Sequence, residues 1–158
     1  MKIFNVGDII QFAVRIEEDG ENFYRKAAAA APNGEMQAMF NYLADEETHH
    51  KSIFSEMLSK IENIQPAETY DGEYAAYLSD YIDNKVIFTK QVQQEFGSGT
   101  KDMISAVNFA MQRETDSILY YHEIKQFVAE KYYDAIDGII NEERKHFRKL
   151  SEMRNQLA

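Results

Sequence analysis

Two stretches of the sequence repeat each other. Glu47-Thr-His-His50-Lys-Ser-Ile-Phe-Ser-Glu-Met57 falls on Glu143-Arg-Lys-His146-Phe-Arg-Lys-Leu-Ser-Glu-Met153 at an offset of 96, with Glu, His, Ser, Glu and Met identical. Upstream of each, Ala13, Glu17, Gly20 and Tyr24 fall on Ala110, Glu114, Ser117 and Tyr121 at an offset of 97. Each set has the i, i+4, i+7, i+11 spacing of one helix face. The chain therefore reads as two related helical hairpins. Glu17 and Glu47 are 30 residues apart, so a hairpin that brings them level turns near Pro32. Glu114 and Glu143 are 29 apart, and their hairpin turns near Val128 or Ala129.

Apolar residues recur at helical spacing through most of the chain, and only 7 Gly and 2 Pro interrupt them, which points to a few long elements. Bundle helices are expected over about 5–31, 35–61, 100–128 and 132–155. Asn5 is a candidate N-cap, and Pro32-Asn33-Gly34 is a strong turn signal. A further helical stretch over 73–95, with Tyr74, Tyr77 and Tyr81, would run back along the bundle. Antiparallel hairpins whose sites meet at one level need that long crossover between helices 2 and 3. The expected fold is all-α, one antiparallel four-helix domain over 1–158.

Six residues would then meet inside the bundle: Glu17, Glu47, His50, Glu114, Glu143 and His146. They lie on apolar faces, where unpaired carboxylates cost several kcal/mol each. Too few Lys and Arg share those faces to neutralise four carboxylates, whereas two divalent cations would match them charge for charge. One Glu from each of two helices plus Glu-x-x-His from each of the other two is the dimetal-carboxylate arrangement of ferritin-like bundles. Its mixed oxygen and nitrogen donors suit Fe or Mn, with Zn able to occupy the same site. Two metals are expected ~3.5–4 Å apart, bridged by Glu47 and Glu143. Glu46 and His49 form a competing Glu-x-x-His, but the counterpart of His49 is Lys145, so both are read as solvated. His122 is read as a surface or interface residue.

Composition narrows the function classes. A net charge of −10 argues against non-specific binding to nucleic acid or anionic membranes. No apolar run approaches the ~20 residues of a membrane span, and the opening residues do not form a signal peptide. A cytoplasmic protein is expected. The absence of Cys removes disulfides, thiolate metal sites and a Cys nucleophile.

At these residues the sequence resembles the rubrerythrin branch of the ferritin-like superfamily. The motifs are A-x-x-x-E-x-x-G-x-x-x-Y in the first helix, its echo in the third, and the two Glu-x-x-His pairs. The resemblance implies a di-iron site that reacts with hydrogen peroxide or dioxygen through Glu17, Glu47, Glu114 and Glu143. It further implies that Tyr24 and Tyr121 donate to the ligand carboxylates. Two departures stand out. Rubrerythrins commonly carry a rubredoxin-like domain with one iron on four cysteines, which a chain without Cys cannot form. They also carry a switchable carboxylate where this chain has Ser117. The electron donor is therefore expected to be external, a rubredoxin or a reductase. Bacterioferritins are similar too, but their haem-binding Met is replaced here by Thr48, so no haem is expected. A homodimer or larger homo-oligomer is expected. Two other classes fit less well: a ferroxidase or iron-storage protein, and a helical interaction protein with a relict site.

Overall fold

The computed structural model describes residues 6–61 and 103–157. Within them lie four α-helices, α1 (Val6–Ala30), α2 (Gly34–Lys60), α3 (Met103–Ile124) and α4 (Tyr133–Leu157), with a 3₁₀ turn over Glu130–Tyr132 and no strand. The expected N-cap at Asn5, the 73–95 helix with its tyrosines and the path of the crossover lie outside the described residues.

The first hairpin turns where its sequence dictates. The alanine run closes α1 with Ala31 N–H on the Ala28 carbonyl. Pro32 follows, and the Asn33 side chain then accepts from Met36 N–H at 2.9 Å, supplying one of the orphan donors of the new helix. The second hairpin has no such punctuation. α3 stops at Ile124, four residues short of the expected 128, because Gln126 and Phe127 N–H tighten onto the carbonyls of Glu123 and Ile124. The turn is still centred where the Glu114–Glu143 spacing places it. A Lys125–Asp137 ion pair of 2.7 Å spans it, and Val128 is buried beneath it.

The buried side chains form two apolar layers. One gathers Ile9, Ile10, Phe54, Tyr120, Ile124, Ile136 and Ile139; the other gathers Phe23, Phe40, Leu43, Val107, Leu150 and Met153. Ile61 packs on the first layer and Met103 on the second, so α2 ends and α3 begins at opposite ends of the bundle. Phe147, which helical spacing would group with the apolar residues of α4, is 37% exposed. Between the two layers sits a layer of buried polar and charged side chains.

Candidate metal centre

Each of the four helices delivers its share of this polar layer. Glu17 comes from α1, Glu47 and His50 from α2, Glu114 from α3, and Glu143 and His146 from α4. All six expected residues are buried, none more than 1% exposed. They fall into two overlapping groups. Glu17, Glu47, His50 and Glu143 each bring a ligand atom within 4.8 Å of the others, and so do Glu47, Glu114, Glu143 and His146. Glu47 and Glu143 belong to both groups, the positions at which bridging is expected.

Both imidazoles turn Nδ1 inward. His50 Nδ1 lies 3.1 Å from Glu143 Oε1 and 3.5 Å from Glu17 Oε2, and His146 Nδ1 lies 2.9 Å from Glu143 Oε2. The outer nitrogens face two carboxylates that the sequence reading did not assign to the site. His50 Nε2 is 2.5 Å from Glu142 Oε2, and His146 Nε2 is 3.9 Å from Glu46 Oε2. Glu46 is less solvated than expected: it is 28% exposed and faces the other half's histidine. His49 and His122 are exposed, as expected. The signal for Glu46 and Glu142 was the repeat itself, since each precedes a ligand Glu at the same offset of 96.

The two tyrosines cross between hairpins. The Tyr24 hydroxyl of α1 donates to Glu114 Oε1 on α3, and the Tyr121 hydroxyl of α3 donates to Glu17 Oε1 on α1. Burial, reinforced by the adjacent carboxylates, pushes both phenols well above their ordinary range, so they stay hydrogen-bond donors.

Arg113 reaches this layer from off the ligand faces, one cation among four carboxylates and so too few to neutralise them. It is 6% exposed, and its guanidinium forks onto Glu47, with Nη1 at 3.1 Å from Oε1 and Nη2 at 3.0 Å from Oε2. Nη2 also donates to the Ile16 carbonyl at 2.8 Å, and Nη1 lies 3.5 Å from Glu114 Oε1. The guanidinium sits over the Tyr24 ring, 5.7 Å from its centroid. It fits because residue 20 is glycine: a Cβ there would overlap the guanidinium and come within 2.8 Å of Glu47 Oε2.

Charge in this layer is unevenly spread. Burial pushes the Glu47 carboxyl well up despite Arg113, and burial with the Glu114 and Glu47 charges raises Glu143 to about 7. Glu114 goes the other way. Burial opposes its ionisation, but Glu143, His146 and Arg113 together lower it to about 2. Burial disfavours charge on the imidazoles too, yet the surrounding carboxylates raise His146 to about 10 and His50 further.

A cation fits this donor set. The Oε2 atoms of Glu17 and Glu114 are buried and accept no hydrogen bond among the described residues. Such orphaned acceptors are costly unless something positive meets them. Both belong to carboxylates of the two ligand groups. With all four carboxylates ionised and both imidazoles neutral, the state in which they can ligate, Arg113 cancels one of the four charges and leaves three.

Comparison with known proteins agrees with this geometry. The family model of rubrerythrin matches residues 8–154. A crystal structure from Thermotoga maritima, described as a ferritin-like diiron-carboxylate protein, superposes with a TM-score of 0.75 at 26% identity, covering 100% of this chain and 99% of that one. Comparison with curated proteins gives no match.

Proposed function

The chain belongs to the rubrerythrin family, and from that premise we propose that it is a di-iron carboxylate oxidoreductase reducing hydrogen peroxide or dioxygen with electrons from an external donor. The observation that carries the reading is the pair of overlapping ligand groups sharing Glu47 and Glu143. Glu17 with His50 would hold one metal and Glu114 with His146 the other. Iron at both positions would supply the two electrons that, with two protons, convert hydrogen peroxide to two waters.

The chain's own residues prepare that chemistry. Glu142 orients the His50 ring through Nε2 and so fixes Nδ1 as the donor atom. Tyr24 and Tyr121 each hold one oxygen of a terminal carboxylate and leave the other free to bind. The two apolar layers exclude bulk water, which strengthens every charge interaction between them. Mn or Zn would suit the same donors.

No described helix is long and apolar enough to cross a membrane. A cytoplasmic homo-oligomer served by a rubredoxin or a reductase completes the proposal. Ser117 is buried where the family's switchable carboxylate would stand. Both metals should therefore keep their ligands between redox states, with a weak preference for peroxide over dioxygen.

Anaerobic stopped-flow mixing of the reduced, iron-loaded protein with each oxidant tests this. Fast oxidation within a single turnover, and sustained turnover only with an added reductase or rubredoxin, is the expected result. Inertness to both oxidants would overturn the reading, and uptake of many Fe per chain as a mineral would replace it with storage.

A further inference from the structure

We propose that Arg113 is a built-in counter-cation of the metal pocket, which stabilises the metal-free fold and weakens divalent-cation binding at the Glu47–Glu114–Glu143–His146 position relative to the other. The inference rests on the dimetal reading above. Three observations carry it. The guanidinium is buried and forked onto Glu47, a residue both ligand groups share. It also lies 3.5 Å from Glu114, which belongs to one group alone. Finally, its place is made by the missing side chain of Gly20. At the matched positions of the repeat stand Ser117 for Gly20 and Ile16 for Arg113, so the pocket is charged asymmetrically although its ligands are nearly two-fold related.

The consequence follows from charge. With neutral imidazoles and ionised carboxylates, the Arg113 fork leaves the pocket three negative charges. A first divalent cation brings that to one, and a second overshoots neutrality. Without the guanidinium, the second cation would end at neutrality. Two effects of removing Arg113 oppose each other. Losing the fork frees one carboxylate rotamer, a penalty of at most about tenfold in affinity. Losing a unit charge several ångströms from a divalent one gains about tenfold even at the dielectric of water, and considerably more in a buried pocket. The charge effect wins, and it is largest where the guanidinium is nearest.

Calorimetric titration of the full chain with Mn²⁺, without oxidant, reads this directly. Wild type should take up two ions in separated steps, and anomalous X-ray scattering at half loading should find the first beside Glu17 and His50. Arg113→Met should tighten the second step by about tenfold or more and lower the melting temperature of the metal-free protein, with Mn²⁺ restoring it. Arg113→Lys keeps the charge without the fork and should leave the steps separated. Should Arg113→Met not fold, Arg113→Gln, which retains an amide donor for Glu47, carries the same expectation. Weakening of both steps in the uncharged variant, or an unchanged separation, would overturn the proposal. Wild type binding no Mn²⁺ at all would instead overturn the dimetal reading beneath it.

Discussion

The Nε2 of His50 sits 2.5 Å from Glu142 Oε2, a contact between a buried ring on α2 and a half-exposed carboxylate on α4. The related contact, His146 Nε2 to Glu46 Oε2, is stretched to 3.9 Å. Partners that orient a ligating imidazole typically matter ~10–100-fold in metal affinity. Glu142→Gln should lower Mn²⁺ affinity at the His50 position within that range, while Glu46→Gln should have a smaller effect at the His146 position. Calorimetric titration of the two single variants checks the order, and a larger loss in the Glu46 variant would contradict it.

Removing a donor from a buried carboxylate leaves an acceptor unsatisfied, at about 1–3 kcal/mol. Tyr24→Phe removes the donor of Glu114, and Tyr121→Phe removes that of Glu17. Each variant should lose stability in that range in urea unfolding of the metal-loaded protein, with an unchanged slope. An unchanged midpoint in either would mean that the tyrosine acts only as apolar filling.

Two glycines in helices should respond oppositely to alanine. At Gly138, on the exposed face of α4, nothing lies within 4 Å of an added Cβ. Gly138→Ala should stabilise by about 0.5–1 kcal/mol through helix propensity. At Gly20 the Cβ meets the guanidinium of Arg113, and Gly20→Ala should destabilise by about 1–3 kcal/mol through overpacking. Thermal melts of the two variants side by side settle it; equal shifts would mean that the guanidinium moves aside at little cost.

Metal removal should act on stability by mass action, because the ligand groups exist only in the folded chain. With free Mn²⁺ at about a hundred times its dissociation constant, each occupied position adds about 2.7 kcal/mol. A chelator should lower the melting temperature accordingly, and re-addition should restore it. A melting temperature indifferent to Mn²⁺ would argue against metal binding in the native state.

The six acidic and imidazole residues were legible because the repeat supplied two copies of one face. Burial of four carboxylates then demanded a common explanation. The second turn was legible from the Glu114–Glu143 spacing even though no Gly or Pro marks it, while the helix end at Ile124 was not, because backbone tightening after it leaves no trace in residue type. Arg113 escaped for a geometric reason. It is one residue from Glu114, so helical periodicity puts its Cα about 100° away from the ligand face. Only its long side chain brings the charge back, through a gap on a different helix. The hint was Gly20 itself, which breaks the repeat by having no side chain opposite Ser117. Glu142 escaped because a carboxylate beside a ligand Glu looks like ordinary surface until the facing helix puts His50 against it.

The crossed phenol–carboxylate bonds make each hairpin the other's missing half. Tyr24 finds its acceptor on the second hairpin and Tyr121 finds its acceptor on the first. Each four-membered ligand group likewise draws on both hairpins. A chain cut between them would yield two fragments that each display a donor and an acceptor of the kind the other needs. Because the sequences repeat, a fragment could satisfy Tyr24 with Glu17 of a second copy as well as with Glu114 of its natural mate. One difference between the halves works against such self-pairing: an arginine on one and the glycine that admits it on the other.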